Sequence, residues 1–415
     1  MMLRMLSIAL LTASGAVLAA EAVNPPGLLP TQIARPLLER DPAVASVRAG
    51  LNVASQEADI LDKSPYEWTT KLSGQRRATS YPGNSANYNE WNAGIERTIR
   101  LPGKAAADRR IGGATVEEAR ARYGEALHEA ARELMALWVD WLAAERAQEL
   151  AANNLRATEE NLAVVEKRAR AGDASKLDVS VARAELAEQK RQYSDAKTQA
   201  AAAHSRLSTR FPGVDIQSTA MPSPLPVEED AAFWRERILA ESDELKVVQA
   251  QLRTAQAHAE RARADKTPDP TIGIYTASEI GGRERISGVT FSIPIPGGVR
   301  DSRSARAIAA IEVSQQEVEL KKRQLEADIA SAVATARGAY DSLQIANEGS
   351  AAMRENANLT QRAYMLGEAE LQALLLARRQ ATAAMNSALQ AQVTALKAYY
   401  RLLVDAHLIW DLEHD

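Results

Sequence analysis

Apolar side chains recur along this chain in two rhythms, and the places where one gives way to the other divide it into elements. Between residues 104 and 170 they step alternately by four and three, at Tyr123, Leu127, Ala130, Leu134, Leu137, Trp141, Ala144, Ala151, Leu155, Leu162 and Val165, with Gln148 and Thr158 as polar members of the series. That pattern predicts one long helix packed along a seam. It returns 195 positions later in the same phase, as Val318, Leu325, Ile329, Ala332, Ala336, Ala339, Leu343, Ala346, Met353 and Ala357, interrupted by Lys322, Ser350 and Thr360. A second long helix is therefore expected over 300–365, and at 1.5 Å per residue each would span roughly 100 Å.

Ahead of each long helix the rhythm changes to two. Trp91, Ala93, Ile95, Ile99 and Leu101 alternate with Asn92, Gly94, Glu96, Thr98 and Arg100, and Val289, Phe291, Ile293 and Ile295 alternate with Thr290 and Ser292; Arg97 is the one exception on the apolar side. These are strands with one apolar face. Upstream partners at 66–76 and 271–278, joined through Pro82-Gly83-Asn84-Ser85 and Gly281-Gly282-Arg283, complete β-hairpins over 66–101 and 270–296. A shorter helix precedes each hairpin, over 31–63 and 229–265. A returning helix follows each long one, over 176–210 and 369–409, beyond Gly172 and Gly367.

The same grammar thus occurs twice. Ile99-Arg-Leu-Pro-Gly103 recurs as Ile293-Pro-Ile-Pro-Gly297, and Ala182-Arg183 recurs as Ala377-Arg378. The expected organisation is a leader at 1–20, a first repeat at 21–211, a Pro-rich linker at 212–228, a second repeat at 229–410 and a tail at 411–415. The leader has Arg4, an apolar run and a small-residue end at Ala19-Ala20, which is the form of a secretory signal peptide.

Composition narrows what such a chain can be. With 5% aromatic residues and only 3 Phe, the helices must pack largely through Ala, Leu and Val. Zero Cys excludes disulfides, thiolate metal sites, a cysteine nucleophile and a lipidated N-terminal cysteine. Lys+Arg 50 against Asp+Glu 54 gives a net charge of −4, so no nucleic-acid partner is expected. Two hairpins cannot close a barrel, yet apolar-out alternation on an exported chain is the signature of outer-membrane strands, which must be closed to leave no unpaired edge in lipid. Three chains would supply a barrel of twelve strands. The fold class expected is therefore mainly α with a small membrane β-barrel. Its homotrimer would form a long α-helical barrel that extends into the periplasm from the outer-membrane lipid.

Arg170-Ala-Gly-Asp-Ala-Ser-Lys-Leu-Asp-Val179 with Ala182-Arg183, Tyr364-Met-Leu-Gly-Glu-Ala-Glu-Leu371 with Ala377-Arg378, Asp41-Pro42 and Pro268-Asp-Pro-Thr-Ile-Gly273 resemble the TolC-like outer-membrane efflux family. Within it, Leu101-Pro-Gly-Lys104 resembles the heavy-metal cation branch, although Ala105 stands where that branch usually has arginine. The resemblance implies a passive exit duct of a tripartite efflux pump, here one for heavy-metal cations. It also implies a periplasmic adaptor and an inner-membrane proton-driven transporter as partners. A drug-efflux or type I secretion channel, or a soluble periplasmic coiled-coil adaptor, is the alternative.

In that family the turns at Gly172 and Gly367 lie at the periplasmic tip, which implies adaptor contact through Ala171, Gly172, Asp173, Ala174, Ser175, Leu366, Gly367, Glu368 and Ala369. Repeated in a trimer, Asp173, Glu368 and Glu370 would form acidic rings of the kind that select cations. Arg183 and Arg378, at matched repeat positions, are candidates for salt bridges that hold the entrance closed. Tyr66, Trp68, Trp91 and Tyr275 are candidates for a membrane-interface girdle. His128, His204, His258, His407 and His414 contain no i, i+4 pair, so neither a metal site nor a cofactor is expected, and no catalytic constellation indicates an enzyme.

Overall fold

The computed structural model describes Pro25, residues 27–214, residues 220–410 and Leu412. The expected leader, residues 215–219 of the linker and most of the tail lie outside the described residues. Helices α1 (Thr31–Glu39) and α2 (Pro42–Asp62) precede strands β1 (Thr69–Tyr81) and β2 (Asn84–Thr98), the long α3 (Pro102–Ala171) and the returning α4 (Lys176–Arg210). Helices α5 (Ala231–Glu241) and α6 (Asp243–Ala264) then precede β3 (Thr271–Glu279) and β4 (Glu284–Ser292), followed by the long α7 (Gly298–Leu366) and the returning α8 (Leu371–Asp405).

The helix expected over 31–63 is two helices, and so is that expected over 229–265. Both breaks are capped starts. Asp41 holds an extended conformation ahead of Pro42, which disfavours the helical region for its predecessor, and its carboxylate accepts from the N–H of Ala43 at 2.8 Å. Arg210, at the end of α4, pairs with the same carboxylate. In the second repeat Ser242 Oγ accepts from the N–H of Leu245.

Helix α3 contributes Leu127, Ala130, Ala131, Leu134, Trp138, Val139 and Trp141 to the main core, which α1, α5, α8 and the Phe211–Val214 segment close. Trp138, Trp141, Trp234 and Trp410 are all buried there; Trp138 Nε1 donates to the Gly27 carbonyl and Trp410 Nε1 to that of Leu29. Most of the tryptophan therefore serves the helical core rather than the hairpins. Helix α7 is different. It gives Ile329, Val333 and Ala336 to the main core, and beyond them only the heptad line Leu343, Ser350, Ala357 and Tyr364 is buried, while Ile308, Val313, Leu320, Ile345 and Leu359 stand exposed on its other sides.

The strands form one antiparallel sheet in the order β1-β2-β3-β4, with β1 and β4 at its edges. No helix among the described residues is long and apolar enough to cross a membrane.

Candidate functional site

Strand pairing fixes which side chains share a face of the sheet. Leu72 lies opposite Ala93, Ala93 opposite Thr276, Ile95 opposite Ile274, Ile274 opposite Val289 and Ile272 opposite Phe291, so these residues and Trp91 occupy one face. That face is bare. Leu72 is 78%, Val289 73%, Phe291 67% and Ile274 60% exposed, although an apolar side chain in water forgoes roughly 1.5–3 kcal/mol of burial. Arg97, the exception in the alternation, sits at the base of this face; its guanidinium lies over the Trp68 ring at 5.6 Å and Nε donates to the Tyr66 carbonyl.

The opposite face is polar. Arg77 pairs with Glu90 at 2.9 Å and Glu279 at 2.8 Å, Gln75 Nε2 donates to Glu90, and Lys71 pairs with Glu96 at 2.7 Å. Tyr275 belongs here too. It lies opposite Gly94 and Gly288, whose missing side chains make room for its ring. Alternation thus places Tyr275 on the polar side of the sheet, on the face opposite Trp91. Tyr66 precedes β1, is half-buried, and its hydroxyl donates to Asp269 Oδ2 at 2.7 Å. Trp68 and Trp91 are 60% and 52% exposed.

Below the sheet lies a buried polar junction. Lys104 Nζ, 3% exposed, reaches Asp269 at 3.0 Å and Asp265 at 3.4 Å; Asp269 Oδ1 also accepts from the N–H of Leu101. Alongside, Asp108 binds Arg100 at 3.0 Å and Arg261 at 2.5 Å, and Arg100 donates to the carbonyls of Leu61 and Asp62 at the end of α2. Burial pushes the pKa of Asp269 up, but hydrogen bonds from Leu101, Tyr66 and Lys104 outweigh it and hold it below the ordinary carboxylate value. Leu101-Pro-Gly-Lys104 and Pro268-Asp-Pro270 are therefore two halves of one latch joining the repeats. The sequence flagged both stretches but not that they meet.

At the far end of the long helices the two turns lie side by side. Gly172, at φ 87°, ends α3 and Gly367, at φ 80°, ends α7; Asp173 N–H returns to the Arg168 carbonyl and Glu368 N–H to that of Ala363, both at 2.9 Å. A residue with a Cβ would be strained in either place. Val165, Ala182, Tyr364, Leu371, Leu374 and Leu375 form a small core just behind the turns, and Arg168 lies over the Tyr364 ring at 5.0 Å. Ala171, Asp173, Ser175, Leu366 and Glu368 are exposed, with Ala174 and Ala369 half-buried. Ser175 and Asp178 form a reciprocal capping box at the start of α4; Glu370, in the corresponding place on α8, makes no cap bond.

The candidate gate residues divide. Asp173, Glu368 and Glu370 are exposed and form no ion pair among the described residues. Arg183 pairs with Glu166 at 2.8 Å, joining α4 to α3. Its counterpart Arg378 meets Gln361 in place of an acid, and its Nη1 donates to the Ala157 carbonyl on α3 at 3.0 Å; burial lowers its pKa. The neighbouring Arg379 binds Glu185 through Nε at 2.9 Å, so α8 is tied to both α3 and α4.

The geometry is an apolar sheet face backed by a polar one, carried on helices about 100 Å long. The chain belongs to the outer membrane efflux protein family, whose model matches residues 34–210 and 234–404. The family is one of channels, not enzymes. Among solved structures, the chain is similar to CusC at 18% identity and a TM-score of 0.73, covering 92% of this chain and 93% of that one. It is similar to MtrE of Neisseria gonorrhoeae, in its open state, at 19% identity and a TM-score of 0.73, covering 92% and 90%. The outer-membrane channel OprN, at 19% identity and a TM-score of 0.70, is covered to 90% by 92% of this chain. Curated proteins give no match.

Proposed function

We propose that three copies of this chain form the outer-membrane exit duct of a tripartite efflux pump. The observation that carries this reading is the sheet: four strands with an exposed apolar face and two unpaired edges, β1 and β4. Open edges are not tolerated in lipid, so the strands need partners from other copies, and three copies give a closed barrel of twelve. The polar face, with Arg77, Glu90 and Glu96, then lines the water-filled lumen. The exposed apolar side of α7 supports the same reading, since Ile308, Val313 and Leu320 need a neighbour.

The small-residue turns at Gly172 and Gly367 are the docking point for a periplasmic adaptor, which links the duct to a proton-driven inner-membrane transporter. The unpaired acids Asp173, Glu368 and Glu370 ring the entrance. Heavy-metal cations as cargo rest on the Leu101-Pro-Gly-Lys104 resemblance. Lys104 itself is buried in the latch, so its charge does not touch cargo.

Extraction with detergent followed by light scattering should give a particle of three chains that conducts ions in planar bilayers. A soluble periplasmic monomer would overturn the channel reading. Loss of metal tolerance in a deletion strain supports cation cargo; loss of drug tolerance with metal tolerance intact refutes it.

A further inference from the structure

Three ligating atoms that the sequence scatters meet beside the main core. His128 comes from the middle of α3, Asp243 opens α6, and His407 lies just past the end of α8. His128 Nδ1 and His407 Nε2 are 3.2 Å apart, His407 Nε2 and Asp243 Oδ2 3.4 Å, and His128 Nδ1 and Asp243 Oδ2 3.6 Å. A tetrahedral zinc ion with bonds of about 2.0–2.2 Å requires its ligand atoms to be roughly 3.3–3.6 Å apart. The observed edges match that to within about 0.1 Å.

The surroundings suit an ion. Side-chain exposure is 4% for His128, 5% for His407 and 0% for Asp243. Asp243 Oδ2 is buried and has only the two imidazole nitrogens near it, at 3.4 and 3.6 Å, long for hydrogen bonds to a carboxylate oxygen. His407 adopts φ 52°, a conformation disfavoured for a residue with a Cβ, and it is this turn past α8 that carries its ring to the other two. His128 is also oriented from outside. Its Nε2 lies 3.1 Å from Asp405 Oδ1, which in turn accepts from Arg132 Nε at 2.8 Å. A carboxylate taking the Nε2 proton leaves the Nδ1 lone pair aimed at the triangle, as outer carboxylates do for zinc-bound histidines. On the open side, His128 and Asp243 border a cavity of about 60 Å³, enough for a water as fourth ligand, and Glu125 Oε2, buried and unpartnered, lines it.

We propose that His128, Asp243 and His407 form a binding site for a zinc-type divalent cation that ties α3 of the first repeat to α6 and α8 of the second. It goes beyond the duct reading and does not depend on the cargo, because the three side chains are buried and none belongs to the polar sheet face or the tip turns. Sequence inspection missed it because no two ligands share a helix.

The test uses the full mature chain, untagged, purified in detergent and stripped with a chelator. Zinc titrated against a chromophoric competitor should bind at one ion per chain, and cobalt should give the intense visible absorption of a four-coordinate ion. Asp243→Asn and His407→Ala should each weaken zinc binding at least about 100-fold, whereas His204→Ala and His258→Ala should not. Zinc should raise the thermal midpoint of the wild type and leave that of Asp243→Asn unmoved. Should a variant fail to fold, cobalt absorption of the wild-type chain decides: a pale octahedral spectrum, or zinc uptake well below one per chain, overturns the proposal. Uptake that His258→Ala abolishes as fully as His407→Ala overturns it too.

Discussion

Replacing Lys104 by Met keeps most of the stem and deletes the charge at the centre of the latch. The Asp269 carboxylate, 4% exposed, then loses a partner at 3.0 Å while keeping the Leu101 N–H and the Tyr66 hydroxyl. Breaking a fully buried ion pair costs about 3–5 kcal/mol, and the two surviving hydrogen bonds offset part of that, which leaves about 2–3 kcal/mol. The contact to Asp265 adds little, since that side chain is 45% exposed. Urea unfolding in detergent, followed by tryptophan fluorescence, measures the loss. In a double-mutant cycle with Asp269→Asn, removing both partners should cost less than the sum of the single changes by about 2 kcal/mol. Additivity within about 0.5 kcal/mol, or a negligible effect of Lys104→Met, would refute the latch. The variant should also conduct ions with unchanged selectivity, because Lys104 does not face the duct.

Three further outcomes are expected. Gly172→Val forces a β-branched residue to positive φ and should destabilise the α3–α4 turn by about 1–2 kcal/mol, seen as faster proteolysis at Arg170 and Lys176 with the sheet unaffected; unchanged cleavage would count against the left-handed cap. Ser175→Ala should cost about 1 kcal/mol through loss of the capping box, while Glu370→Ala, which removes no cap bond, should be neutral; equal effects in hydrogen exchange of the first turns of α4 and α8 would contradict this. Because the pKa of Asp269 is depressed in the folded chain, its stabilising contribution is complete above the ordinary carboxylate value and is lost as pH falls below about 4. Asp269→Asn should flatten that part of the urea-midpoint profile, and an unaltered slope would rule the residue out as its source.

What the chain discloses unaided is its local periodicity. The four-three seam belongs to α3 and α7, and the glycines at 172 and 367 announce their own turns because positive φ is a one-residue property. The breaks at Asp41 and Ser242 were equally readable: a residue before proline resists the helical region, and Asp and Ser are strong caps. Tyr275 could also have been placed by counting alternate positions from Ile272 and Ile274. Other features depend on tertiary register. Nothing near Lys104 names Asp269 as its partner, and an i, i+4 search cannot find ligands carried by α3, α6 and the end of α8. Arg378 shows a related limit, since its repeat position matches Arg183 while Gln361 replaces the acid that would have made the pairings alike.

The two free edges of the sheet are not equivalent: β1 is 13 residues long and β4 only 9. In the proposed ring each copy therefore meets its neighbours head to tail, offering one edge and receiving the other. Such an assembly has a genetic signature. A copy whose β4 edge carries a proline would spoil every ring it enters, so co-expressed at equal dose with normal copies it would leave only about one ring in eight intact. Mutations at these edges should behave as dominant, and those in the buried latch as recessive.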